Sequence, residues 1–164
     1  MTNIRKTASG AEIAWTVNAG GSQNPPSKNP LNLWPGDEYV DHVGIDLYDH
    51  WPRAVGDGAV AAREATPYRA QFWAAFARQH GKPTLWPEWG LNTVSQQGGG
   101  DNPAYIRWMH DFFAAQWAQR LPNGRPALTG ESYFDDYTTT NVSSGLREWN
   151  RNPNSAAEYL RLWS

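Results

Sequence analysis

Hydrophobic positions gather into four short β-rich runs, Ala11–Val17, Tyr39–Tyr48, Pro83–Trp89 and Ala127–Phe134. Each follows a glycine that ends a polar turn (Gly10, Gly36, Gly81, Gly124), the pattern of a chain leaving a helix cap and entering a strand. Three helix starts are equally legible: Thr66-Pro67, Asn102-Pro103 and Asn152-Pro153 each set a capping residue before proline at the first helical position. The spacing of Tyr68, Phe72, Trp73 and Phe76 predicts a helix over roughly 67–80, and that of Ile106, Met109, Phe113 and Trp117 predicts one over roughly 103–120. Both aromatic stripes read as helix-to-sheet core. Strands alternating with helices predict an α/β fold with a parallel sheet, because parallel neighbours require crossover helices. No linker divides the chain, so one domain is expected.

The connections are unequal. Turns entering strands are short, whereas the segments leaving them, 18–29, 49–64, 90–101 and 135–151, are long and rich in Trp, Asp, Asn and Gly. In α/β barrels the loops at the carboxyl ends of strands build the active site. Chemistry is therefore expected around Asn18, Asp46 to Trp51, Glu88 to Trp89 and Phe134 to Asp136.

Composition narrows the function. With 14 Lys and Arg against 16 Asp and Glu, the 164-residue chain has no basic excess, so a nucleic-acid partner is not expected. No run approaches the roughly eighteen apolar residues of a membrane span. Arg5 and Lys6 are followed by no apolar stretch, so no leader is expected in this chain; secretion would require one upstream. Absence of cysteine excludes disulfides, thiolate metal sites and cysteine nucleophiles. His42, His50, His80 and His110 share no metal-ligand spacing, Gly98-Gly-Gly100 lacks the Lys-Ser/Thr of a phosphate loop and reads as a flexible rim, and no G-x-S-x-G elbow is present. No cofactor is expected.

Glu88, between Pro87 and Trp89 at the end of an apolar strand, is a costly place for a charge. Two readings stand: a carboxylate nucleophile, or a structural acceptor of backbone or arginine hydrogen bonds. In the second run Gly44, Asp46 and Tyr48 share one face and Val43, Ile45 and Leu47 the other. Asp46 and Tyr48 are then either partners of a catalytic carboxylate or an internal hydrogen-bonding pair. Of the ten tryptophans, Trp15, Trp51 and Trp89 fall at or near strand ends and are candidate platforms for the apolar face of a sugar ring. Trp34, Trp73, Trp108, Trp117, Trp149 and Trp163 read as packing. Asp37, Glu38 and Asp41 precede a strand and read as structural.

The blocks I-A-W-T-V-N (13–18), W-P-G-D-E-Y-V-D-H-V-G-I-D-L-Y (34–48), K-P-T-L-W-P-E-W-G (82–90) and S-Y-F-D (132–135) resemble the second half of glycoside hydrolase family 26, the β-mannanase-type family of retaining (β/α)8 enzymes. The resemblance implies that the four runs are strands five to eight of a TIM barrel, a half-barrel and so an incomplete catalytic domain over residues 1–164. It implies that Glu88 is the nucleophile, that Tyr48 supports it and that Phe134 lies near the cleaved sugar; together with the strand-end candidates Trp15, Asn18, Asp46, Trp51 and Trp89, Phe134 would then contact a polysaccharide such as mannan or β-glucan. The family's acid/base is a strand-four Glu with no counterpart in this chain; Glu131, Asp135 and Asp136 are at most sugar-binding residues. Residues 1–9 read as the end of a helix following that strand. A half-barrel also implies pairing with a second half through its sheet edges. A non-catalytic carbohydrate-binding protein and a structural fragment are the alternatives.

Overall fold

The computed structural model describes residues 2–19, 29–94, 96, 98–138, 142–147 and 151–164. Four strands, β1 (Ala14–Asn18), β2 (His42–Tyr48), β3 (Thr84–Gly90) and β4 (Leu128–Tyr133), lie in one parallel sheet in the order β1-β2-β3-β4. Among the described residues five α-helices accompany them: α1 (Thr2–Thr7), α2 (Asp57–Glu64), α3 (Ala70–Gln79), α4 (Pro103–Ala118) and α5 (Pro153–Trp163). The arrangement is α/β with a parallel sheet, as the alternation of runs predicts, and half-barrel-like, as the resemblance implies.

β2 follows its sequence pattern closely. Val43, Ile45 and Leu47 are fully buried on the helix side, while Asp46 and Tyr48 point the other way. Gly44 sits where a Cβ would lie 2.2 Å from Thr16 Oγ1, so only glycine lets β1 and β2 approach there. β3 departs from strict alternation. The three residues of β2 from Gly44 to Asp46 are matched by four of β3, Leu85 to Glu88. This extra residue turns both Trp86 and Trp89 toward α4, where they meet Phe113. It also puts Glu88 in register with Asp46, which in turn is in register with Asn18.

Several boundaries differ from expectation. β1 and β2 begin later than the apolar runs because the Asp41 carboxylate takes the Ile13 N–H (2.8 Å) and the Arg5 guanidinium (2.7 Å). Residues 37–39 form a 3-10 turn, with Asp37 accepting from the Trp34 indole and pairing with His80, a structural role. α3 starts at Ala70 with Arg69 as its cap, not at Thr66-Pro67; the Thr66 hydroxyl instead donates to the Arg63 carbonyl. α2 occupies a segment expected to be loop, since DGAVAARE buries a single aliphatic side chain, Val60, and carries no apolar stripe to announce a helix. In α4 the buried face is Ile106, Met109, Phe113 and Gln116, which leaves Trp117 55% exposed rather than packed. Trp34, Trp73, Trp108 and Trp163 pack as expected, and Trp149 lies outside the described residues.

Candidate functional site

The carboxyl ends of the strands bring Asn18, Asp46, Tyr48 and Glu88 together on the sheet face opposite the helices. The Tyr48 hydroxyl donates to Glu88 Oε2 at 2.9 Å. The Phe134 ring stands edge-on to Tyr48, with centroids 5.9 Å apart. Burial and the neighbouring Glu88 charge push the Tyr48 phenol well above its ordinary range, so it remains a hydrogen-bond donor. Asp46 lies beside Glu88 across the strand pair; partial burial, then repulsion from Glu88, raise its carboxyl to about 6. Asp46 Oδ1 is buried without a hydrogen-bond partner, and among the described residues no ion pair involves Asp46 or Glu88. A depression of about 200 Å³ is lined by Asn18, Asp46, Tyr48, His50, Asn92 and Val142.

Five of the aromatic and acidic candidates lie outside this group. Trp89 is fully buried among Tyr105, Phe113, Tyr133 and Trp163, with its indole N–H donated to Glu131. Trp15 packs on Trp34, Trp73 and Phe76 on the helix side of β1. Neither presents a face to the cleft. Glu131 accepts from the Trp89 and Trp163 indoles and so also serves the helix side. Asp135 pairs with Arg147 and Asp136 accepts from Thr138, both rim contacts within their own loop. Trp51, by contrast, is 58% exposed and follows His50, which lines the depression.

A buried ionic cluster beneath the exit of β2 has no counterpart in the sequence reading. Arg63 Nη1 binds Asp49 Oδ1 (2.6 Å) and the carbonyls of His50 (3.0 Å) and Pro52 (3.3 Å). Arg69 binds Glu64 (2.5 Å) and the Tyr48 carbonyl (3.2 Å). Asn102 caps nothing with its side chain, which instead donates to Asp49 Oδ2 (2.8 Å) and the Ala54 carbonyl (2.9 Å). Gly98 and Gly99 form no loose rim: both are buried, and a Cβ would lie 2.1 Å from the Asn92 carbonyl at one and 2.0 Å from the Asp49 carboxylate at the other. The signal for this cluster was the pair of charges within Arg63-Glu64, in a segment with no visible periodicity.

A larger cavity of about 460 Å³, lined by Tyr133, Asp135, Leu146, Arg147, Tyr159 and Leu160 among others, lies between β4 and α5, and neither Asp46 nor Glu88 lines it. Among the described residues no group of three His, Asp or Glu side chains is placed to hold a metal ion, and no helix is long and apolar enough to cross a membrane.

No protein-family model matches the chain, and no curated protein does. Solved structures similar to it include the catalytic domain of a Bacillus sp. JAMB-750 GH26 endo-β-1,4-mannanase, at 21% identity over 90% of this chain and 37% of that one (TM-score 0.46). A modular endo-β-1,4-mannanase from Cellulomonas fimi matches at 20% identity over 88% of this chain and 29% of its own (TM-score 0.46). An engineered protein matches at 17% identity over 96% and 33% (TM-score 0.49). The chain thus spans about a third of the length of each.

Proposed function

We propose that this chain is the nucleophile-bearing part of a retaining glycoside hydrolase domain acting on β-linked polysaccharide, mannan or β-glucan in type. The observation that carries the reading is the Tyr48 hydroxyl held on Glu88 at the carboxyl end of a parallel strand, with Asp46 and Asn18 in register beside it. Tyr48 leaves one Glu88 oxygen free to attack an anomeric carbon. As that C–O bond breaks, an acid contributed by the completing part of the barrel protonates the leaving oxygen; water then releases the sugar from Glu88. Asn18 and Phe134 flank the reacting ring, and Trp51 offers an aromatic surface at the rim. Among the described residues the outer strands β1 and β4 each have a strand neighbour on one side only, so a second half, upstream in the same protein or on another chain, would complete the site.

The test is hydrolysis of mannan and mixed-linkage β-glucan by this chain and by a version extended upstream, with a 2-fluoro glycoside as trap. A covalent adduct mapped to Glu88 and loss of turnover in Glu88→Gln support the reading. An inert extended form, or turnover indifferent to Glu88→Gln, overturns it. Saccharide binding that survives Glu88→Ala without any hydrolysis would instead favour a binding protein using Trp51.

A further inference from the structure

The cluster beneath β2 spends its donors in an uneven way. Asp49, Glu64, Arg63 and Arg69 are all buried and their charges cancel, as a folding device requires. Yet Arg63 Nη1 also reaches the carbonyls of His50 and Pro52, the residues on either side of Trp51. Its guanidinium is fixed in turn by Nε on Glu64 (2.8 Å) and by the Tyr105 ring 5.4 Å below. Further ties converge on the same stretch: Asn102 on the Ala54 carbonyl, the Gly99 N–H on the Asp49 carbonyl (3.2 Å), and Arg53 on the Gly98 carbonyl (3.3 Å). Asp49 and Ala54 at the ends of this stretch are buried, while Trp51 at its crest is exposed. An exposed indole on a backbone gripped from below on both sides differs from a surface tryptophan on a mobile loop, because its ordering cost is met before any ligand arrives.

We propose that Arg63 is a positioning residue for saccharide binding: it holds Trp51 as a prebuilt stacking platform for a pyranose ring at the rim of the Glu88 cleft. This rests on the glycosidase reading for the identity of the ligand, but the rigidity of the platform is measurable without it. Arg63→Lys keeps the charge and removes the fork whose Nε holds Glu64 while Nη1 takes Asp49 and the two carbonyls.

Two measurements test it. In protein labelled with 5-fluorotryptophan, the Trp51 ¹⁹F resonance, assigned by its loss in Trp51→Phe, is expected to be single and sharp, and to broaden or split in Arg63→Lys. In calorimetric titrations with β-1,4-linked manno- and gluco-oligosaccharides, Arg63→Lys should weaken binding about tenfold in the Trp51 background and less than about twofold in Trp51→Ala, the non-additivity of residues acting as one unit. An unchanged Trp51 resonance, or equal losses in both backgrounds, overturns the proposal. If Arg63→Lys does not fold, ¹⁹F relaxation of the wild-type Trp51 resonance decides: relaxation of a side chain rigid with the protein supports the clamp, and that of a freely moving surface indole refutes it. The titrations use the upstream-extended protein as well: an extended form that binds no oligosaccharide overturns the glycosidase reading and this role together, whereas binding with additive losses overturns this role alone.

Discussion

The Tyr48 hydroxyl and Glu88 Oε2 are joined by a 2.9 Å hydrogen bond that links adjacent strands at their carboxyl ends. A hydrogen bond to a charged group contributes about 1.5–3 kcal/mol. If Glu88 is the attacking carboxylate, Tyr48→Phe should lower kcat of the completed enzyme about tenfold to a hundredfold while leaving KM nearly unchanged. Steady-state kinetics on an activated aryl β-glycoside checks this. A Tyr48→Phe enzyme with wild-type turnover would separate the hydroxyl from the chemistry.

The open edges of β1 and β4 make a second expectation. Each offers unpaired backbone groups on one side among the described residues, a template for another strand. The chain on its own should associate as concentration rises, and multi-angle light scattering across a hundredfold dilution series reads this directly. A monomer throughout would remove edge pairing as a route to a complete barrel.

Gly99 tests the cluster beneath the site. A Cβ there would lie 2.0 Å from Asp49 Oδ2 and 2.5 Å from Asn102 Nδ2, which are bonded to each other and tied further by Arg63 on Asp49 Oδ1 and by the Ala54 carbonyl, so neither yields freely. Gly99→Ala should cost about 2–4 kcal/mol, the range of overpacking added to a broken buried network. Thermal unfolding checks it, with Gly58→Ala as the control because nothing stands within 4 Å of that position.

Much of this architecture was legible because β2 obeys the two-residue period of a half-buried strand, with Val43, Ile45 and Leu47 inward to the helices and Asp46 and Tyr48 away from them. The same period already separates Trp15 from Asn18, three residues on, and the structure puts Trp15 among Trp34, Trp73 and Phe76. Strand-end position alone was a poor guide to which face an aromatic takes. In β3 the extra residue near Trp86-Pro87 sends both tryptophans to the helix side, and no local signal in KPTLWPEWG announces that irregularity. The cluster of Asp49, Arg63, Glu64, Arg69 and Asn102 stayed hidden for another reason. Its partners lie up to 53 residues apart, and Asn102-Pro103 has the appearance of an ordinary helix cap.

Asp46 provides the prediction with the clearest sign. Its carboxyl is raised from the ordinary range to about 6, so the folded chain holds a proton that the unfolded chain has already lost between about pH 4 and pH 6. Unfolding in that window releases the proton, and stability must fall as pH rises through it. The contribution is fully present below about pH 4 and gone above about pH 6. Full linkage for such a displacement is about 3 kcal/mol, and the partial exposure of the carboxyl reduces it to about 1 kcal/mol. Asp46→Asn should therefore gain about 1 kcal/mol on the wild type between pH 4 and pH 7. Glu88→Gln, by removing the adjacent negative charge, should lower the Asp46 midpoint and move the window toward acid. Thermal melts at several pH values measure the first effect, and carboxyl ¹³C titration of Asp46 measures the second. Parallel stability curves for wild type and Asp46→Asn would show that the Asp46 carboxyl is not raised, and an unmoved Asp46 midpoint in Glu88→Gln would show that the two carboxyls do not share the coupling that their register implies.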